Sequence, residues 1–303
     1  MNSPTPDRYA VLGHPVAHSR SPFIHAQFAQ QTGQSLVYER VDCPPGSFKA
    51  AVQAFAASGG RGCNITVPNK FEAAALARHV CPRAALAGAA NVLHFAADGW
   101  QAYNTDGLGL LRDIQTGAGR PLQGQQVLLI GAGGAGAGVL GPLLQARPAS
   151  VQVANRTAET AQNLVQRHQA WATEHGAKLS ATTLAATDAA YDIVINASAS
   201  SLQGATSPVP AAVFAPGALA IDLMYGPAAQ PWLDWARLHG AVPRDGLGML
   251  VEQAAEAFWL WRGVRPDTAP VLLALRQEFQ QGMRENLRDN LSDNLREPLR
   301  EAD

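Results

Sequence analysis

Hydrophobic and polar positions change rhythm repeatedly along the chain, and the changes mark short strands alternating with helices. The apolar run 9–12 ends at Gly13 and predicts a strand. Ser21-Pro22 reads as an N-cap followed by proline at the first helical position, and the helix it opens runs through Phe23, His25 and Phe28 to a stop near Gly33. A strand is predicted over 36–41, a helix over 48–57 stopped by Gly59-Gly60, and a strand over 63–67 that meets Pro68. Residues 89–95 and 100–103 suit the arms of a hairpin about Asp98-Gly99.

The turn-rich run 117–125 predicts a domain boundary, bridged by a helix over 107–114. Residues 127–130 are a continuous apolar strand of the kind buried on both faces of a parallel sheet. Strands over 150–154, 192–196 and 219–223 follow, with helices after the glycines and over 158–168. Strand and helix in alternation predict a doubly wound parallel sheet. A helix over 247–262, closed by Gly263, places Leu250, Ala254, Phe258 and Trp261 on one side, and another is predicted from 270 to about 279. From Gly282 onward Leu287, Leu291, Leu295 and Leu299 recur every four residues. That period drifts around a 3.6-residue helix, so the stretch reads as a frayed or disordered tail, with a partner-binding helix as the alternative.

Composition narrows the functions. The 303 residues are 47% hydrophobic and 16% charged, enough for a large core and little for disorder. With 23 basic and 24 acidic residues the net charge is −1, which argues against nucleic acid or an anionic membrane as the main partner. Cys43, Cys63 and Cys81 form no C-x-x-C and cannot all pair, as expected of a reducing compartment. The N-terminal MNSPTPDRYAVLG shows no basic region leading into an apolar run, so no signal peptide and a cytoplasmic location are expected. The uncharged stretch 127–144 is long enough to raise a membrane span, but it divides into a strand and a glycine turn.

Gly131-Ala132-Gly133-Gly134-Ala135-Gly136 satisfies G-x-G-x-x-G directly after a strand and at the start of a helix. There the glycines allow a tight turn, close backbone approach to a pyrophosphate and close helix–strand packing, and free helical N–H groups bind the anion. An NAD enzyme usually carries an acidic residue at the end of the second strand. This chain has Asn155-Arg156-Thr157, which suits a 2′-phosphate and favours NADP, unless Arg156 is only a solvated surface arginine.

Ser19-Arg20-Ser21, in extended chain, would turn two hydroxyls to one side and the arginine away, a grip for a carboxylate; Ser21 as a mere helix cap is the alternative. Asn64, Thr66 and Lys70 in NITVPNK and the cluster Asn104-Thr105-Asp106-Gly107 are the other polar groupings. Lys70 with an aspartate is either a surface ion pair or an acid–base pair. Gln253 shares a helix face with Met249 and Ala257 and either satisfies backbone or reaches a ligand hydroxyl. His14, His18 and His25 have no companion at a ligand spacing, so no metal is expected.

GHPVAHSRSPFIH, GCNITVPNK, GAANV, NTDG, GAGGAG, NRT and DGLGMLVEQAAEAF follow one another as in shikimate dehydrogenases, and the chain resembles that family from about residue 8 to about residue 279. The resemblance implies an α/β fold with an N-terminal substrate domain (1–106) and an NADP-binding Rossmann domain (107–246). Helices over 247–281 return to the first domain, and a low-complexity tail (282–303) follows. It implies reversible NADPH-dependent reduction of 3-dehydroshikimate to shikimate, a step toward chorismate and the aromatic amino acids. Ser19 and Ser21 match serines on the substrate carboxylate, and Asn64, Thr66, Asn91 and Gln253 match groups around the ring hydroxyls. Lys70 and Asp106 match the catalytic pair, Tyr225 a tyrosine at the rim, and Leu223 and Gly246 backbone near the nicotinamide.

Three positions depart from the family's pattern. Thr160 stands where a second basic residue is common, Asn69 where an aromatic precedes the lysine, and Val92 where a threonine follows the asparagine. The first bears on NADP selectivity and the second on quinate, while Ser21 favours shikimate. A quinate/shikimate dehydrogenase with relaxed cofactor use is therefore the alternative enzyme. A non-catalytic sensor of shikimate or NADP is the alternative outside catalysis, although it would have no need of Lys70 and Asp106. A monomer or homodimer is expected.

Overall fold

The computed structural model describes residues 5–187, 189–198 and 209–296, with 283–296 as backbone alone. The first unit runs β1 (Asp7–Gly13), α1 (Ser21–Thr32), β2 (Leu36–Asp42), α2 (Phe48–Ala57), β3 (Gly60–Ile65), α3 (Lys70–Leu76), β4 (His79–Val80), α4 (Pro82–Ala87), β5 (Val92–Ala96) and β6 (Gly99–Tyr103). Its strands form a six-stranded sheet in the order β2-β1-β3-β5-β6-β4. β1 lies parallel to β2 and β3, and β5 runs antiparallel to β3 and β6. Helix α5 (Asp106–Arg112) and a π-helical turn over Asp113–Gly117 then lead the chain out.

The second unit runs β7 (Gln126–Ile130), α6 (Gly134–Gln145), β8 (Ser150–Asn155), α7 (Ala158–Glu174), β9 (Lys178–Thr183), β10 (Tyr191–Asn196), β11 (Phe214–Asp222), α8 (Gln230–Leu238) and β12 (Val242–Arg244). Its sheet is parallel throughout, in the order β12-β11-β10-β7-β8-β9. The order reverses between β7 and β10, and the crevice at such a reversal is where doubly wound sheets bind ligands. β7 is buried on both faces. Val127 and Leu129 pack with residues of α6 and α7, whereas Leu128 and Ile130 pack with Trp232 of α8.

Two helices, α9 (Leu247–Arg262) and α10 (Ala269–Arg296), close the described chain. Val251 and Phe258 of α9 and Val271 and Leu275 of α10 bury against Ile24 and Phe28 of α1, so the C-terminal helices return to the first unit. No helix among the described residues is long and apolar enough to cross a membrane.

The structure differs from the sequence expectations at three places. Ser21 is not the cap of α1: Arg20 holds that position, its side chain makes no capping bond, and Ser21 and Pro22 open the first turn. Proline is tolerated there because its missing N–H would have no intrahelical acceptor. Arg20 therefore has near-helical backbone (φ −90°, ψ −1°) rather than extended chain. Finally, α10 continues as helix through Arg296 where a frayed tail is expected from Gly282. Leucine, arginine and glutamate favour helix, and no proline interrupts until Pro298. Leu299 and the rest of 297–303 lie outside the described residues.

Candidate active site

Lys70 is the first residue of α3 and Asp106 the first of α5, so each is set by a helix start just after a sheet strand. Lys70 Nζ stands 2.6 Å from Asp106 Oδ2, with the two side chains 12% and 6% exposed. An ion pair this sheltered differs from the solvated surface pair that is the commoner case.

Asn91 lies between β3 and β6 and organises the carboxylate. Its Nδ2 lies within hydrogen-bond distance of Asp106 Oδ1 (2.8 Å), Thr105 Oγ1 (2.9 Å) and Gln253 Oε1 (3.1 Å), while its Oδ1 accepts from the Thr105 N–H at 2.8 Å. Gln253 comes from α9 and donates from Nε2 to Leu250 O at 2.8 Å. Asn64, at the end of β3, donates to Asn91 O and accepts a 2.7 Å bond from the Tyr38 hydroxyl. Thr66 follows half-buried, its N–H bonded to Leu12 O at 2.9 Å and its methyl against Gly13.

In the loop before α1, Ser19 Oγ donates to Ser21 Oγ at 3.2 Å, and both side chains are buried. The two hydroxyls meet because Ser19 Oγ also accepts the Ser21 N–H at 3.3 Å across the helix start. Arg40 of β2 secures this loop by donating from Nε and Nη2 to Ser19 O at 3.0 and 2.6 Å. Tyr225, just beyond β11, is near Arg20. Burial pushes its phenol above the ordinary range, opposed by the Arg20 backbone N–H and the Arg20 and Arg40 guanidiniums.

The glycine turn fits a dinucleotide. Gly131 has φ +101°, a conformation that side-chain-bearing residues rarely adopt. A methyl at Gly136 would strike the Gly131 carbonyl, whereas one at Gly133 would meet nothing within 4 Å, so the backbone there is open to a ligand. Gly133 caps α6 without a side chain, leaving the first-turn N–H groups, including those of Gly134 and Ala135, for an anion. Asn155 Oδ1 accepts from the Ala132 N–H at 3.2 Å, and its Nδ2 donates to Thr157 O at 3.0 Å. This ties the turn to the Asn155-Arg156-Thr157 segment, in which Arg156 and Thr157 are exposed. Leu223 and Gly246 are brought together: the Gly246 N–H donates to Met224 O at 2.8 Å, and a methyl at Gly246 would overlap Leu223 O.

Helix α6 also abuts the Lys70–Asp106 pair. A methyl at Gly134 would lie 3.1 Å from Lys70 Cβ, and one at Gly138 would lie 2.8 Å from Asn104 Nδ2 and 3.1 Å from Asp106 Oδ2. Sequence reasoning missed this role of Gly138, and it missed Tyr38 and Arg40. Tyr38 and Arg40 sit on an edge strand with no motif around them, and their roles follow only from the packing of β2 beside β1. Among the described residues, no group of three or more His, Cys, Asp or Glu is placed to hold a metal.

Three family profiles match the chain in order: "Shikimate dehydrogenase substrate binding domain" over residues 11–93, "Shikimate / quinate 5-dehydrogenase" over 114–207 and "Shikimate 5'-dehydrogenase C-terminal domain" over 246–276. The chain is 62% identical over 276 residues to "Shikimate dehydrogenase (NADP(+))" of Methylibium petroleiphilum, covering 89% of this chain and 94% of that one. The chain belongs to the shikimate dehydrogenase family. Among solved structures it resembles an Ael1 enzyme from Pseudomonas putida, at 45% identity and TM-score 0.78, covering 89% of this chain and 98% of that one. It also resembles shikimate 5-dehydrogenase from Thermus thermophilus, solved with NADP(H) and shikimate, at 34% identity and TM-score 0.78, covering 89% and 99%.

Proposed function

We propose that this protein is an NADP-dependent oxidoreductase that interconverts 3-dehydroshikimate and shikimate. The observation that carries the reading is the sheltered 2.6 Å Lys70–Asp106 pair lying against the helix that follows the glycine turn. The nicotinamide cofactor, when bound, supplies or accepts the hydride. Everything else falls to the protein, which provides orientation and electrostatics.

Gly131, Ala132, Gly133, Gly134 and Ala135 hold the pyrophosphate, Asn155, Arg156 and Thr157 the 2′-phosphorylated ribose, and backbone at Leu223 and Gly246 the nicotinamide end. Ser19, Ser21 and Tyr225 grip the substrate carboxylate. Asn64, Thr66, Asn91 and Gln253 meet the ring hydroxyls. In the reductive direction Lys70, oriented by Asp106, donates a proton to the developing alkoxide, and in the oxidative direction it receives one. Proton transfer of this kind is typically worth about 10²–10⁴-fold. Residues 1–106 form the substrate domain, 107–246 the cofactor domain and 247–281 the returning helices. We place the protein in the cytoplasm as a monomer or homodimer, a location supported by its three free thiols.

The test is nicotinamide absorbance with shikimate and quinate, each offered NADP and NAD. Turnover confined to shikimate and NADP is expected, together with a loss of kcat in Lys70→Ala that far exceeds any rise in KM. Thr160 and Asn69 favour the second reading, a dual quinate/shikimate enzyme; comparable rates with quinate or NAD would establish it. Binding without turnover would replace both readings with a sensor.

A further inference from the structure

The loop that carries Ser19 and Ser21 precedes α1 and belongs to the first unit, while Tyr225 and Gly226 follow β11 of the second. Two side chains of α10 reach the first, and one of them also reaches the second. Glu278 Oε1 accepts a 2.6 Å bond from Arg20 Nη1. The Arg20 guanidinium carbon stands 5.0 Å from the centre of the Phe279 ring. The same ring meets Tyr225 edge-on, with centroids 6.0 Å apart and planes at 69°. A methyl at Gly226 would lie 2.9 Å from Phe279 Cε1, so the ring also rests on the backbone beside that tyrosine.

One phenyl ring therefore touches Arg20 of the first unit and Tyr225 and Gly226 of the second. Arg20 sits between the two serines in sequence, so whatever holds its side chain holds the loop. Arg40 restrains the loop through Ser19 O, from the β2 side. Glu278 draws the Arg20 guanidinium toward α10 with a charge-assisted bond, and the Phe279 face stacks beneath it. The packing of Tyr225 on Phe279 sets where its ring stands beside Arg20.

We infer that Phe279 and Glu278 are positioning residues for the carboxylate grip. Helix α10 acts as a strap that holds the Ser19–Ser21 loop against Tyr225 so that their hydroxyls converge on one carboxylate. The inference rests on the proposed role of those three residues. It assigns to α10 a part in the site beyond packing on α1.

Steady-state kinetics of the full-length protein test it, using Phe279→Ala, Phe279→Leu, Phe279→Tyr and Glu278→Gln beside Ser21→Ala. Phe279→Ala is expected to raise KM for shikimate about tenfold while kcat and KM for NADP stay within about twofold, because only ground-state placement of the carboxylate is lost. Phe279→Leu fills the space without a π face and is expected to raise KM for shikimate about threefold. Phe279→Tyr keeps the ring and should keep KM near wild type. Glu278→Gln should raise KM in the same selective way. Should Phe279→Ala fail to fold, the leucine and glutamine variants make the same comparison.

Unchanged shikimate KM in the folded Phe279 variants, or parallel losses in kcat and NADP KM, would overturn the strap and leave α10 a purely structural helix. Ser21→Ala separates this from failure of the underlying reading. If Ser21→Ala raises shikimate KM and the Phe279 variants do not, the strap alone is wrong. If Ser21→Ala also leaves KM unchanged, the carboxylate grip is misplaced and the strap falls with it.

Discussion

Asn91 Nδ2 lies 2.8 Å from Asp106 Oδ1, so the carboxylate that faces Lys70 with one oxygen is anchored by the other. Neither bond alone fixes the plane of a carboxylate; two bonds to opposite oxygens do. Asn91→Ala removes the anchor and leaves Oδ1 short of a donor. A hydrogen bond to a charged group is worth about 1.5–3 kcal/mol, so kcat is expected to fall about 10- to 100-fold. Combined with Lys70→Ala, the loss should not add, because both variants act on the one proton transfer proposed for Lys70. A variant with raised KM and intact kcat would reduce Asn91 to a substrate contact.

Two glycines of the glycine turn and its helix should separate cleanly. Gly133→Ala places its methyl in open space within the protein. It should fold normally and raise KM for NADP while sparing shikimate. Gly138→Ala pushes a methyl toward Asn104 and Asp106 Oδ2. It should lower kcat with little effect on KM for NADP. Paired kinetics and thermal melts decide both, and matching profiles for the two variants would contradict the division.

His25 is fully buried and stacks on Tyr38 at 4.2 Å; burial pushes its pKa down from 6.5 to about 3. It is therefore neutral in the fold at pH values where the unfolded chain takes up a proton. Its contribution is fully present above pH 6.5 and declines as pH falls from there toward 3, by up to about 1.4 kcal/mol per pH unit. Denaturant midpoints at pH 7 and pH 4.5 should differ less in His25→Phe than in the wild type. An equal drop in both would show that other groups carry the acid sensitivity.

Asp113, in the π-helical turn between the units, is 2% exposed and takes Arg244 Nε at 2.8 Å and Nη2 at 2.5 Å. Arg244→Ala strands that carboxylate, and removing one partner of a buried pair costs about 3–5 kcal/mol. Urea unfolding should show a clear loss of stability. Replacing both residues, as Asp113→Asn with Arg244→Met, should cost less than the single change, since no buried charge is then left unpaired.

Much of the molecule was legible without coordinates because its signals are local. Gly131 follows an apolar strand and opens a helix, and such a turn demands a residue free to take φ +101°. The run 127–130 is apolar throughout, as a strand covered on both faces must be. β9 was not legible. Its KLSATT is too polar to read as a core strand, and it is a strand at the sheet edge only because β8 offers it a ladder of backbone partners. The reading of α1 was displaced by one residue, since Ser21 carries the chemistry of a cap but Arg20 occupies the cap position.

What the sequence determined by itself is the inventory: an alternating α/β chain, a glycine turn before a helix, a basic rather than acidic second strand end, and separate polar clusters. What only the tertiary structure decided is which clusters meet. Asn91 and Gln253 lie 162 positions apart and Arg20 and Glu278 lie 258 apart, yet each pair is within hydrogen-bond distance. Those meetings depend on strand order, on the return of α9 and α10 to α1, and on how closely α6 can approach Asp106. All three are set by packing between distant surfaces, which leaves no periodic trace in the chain.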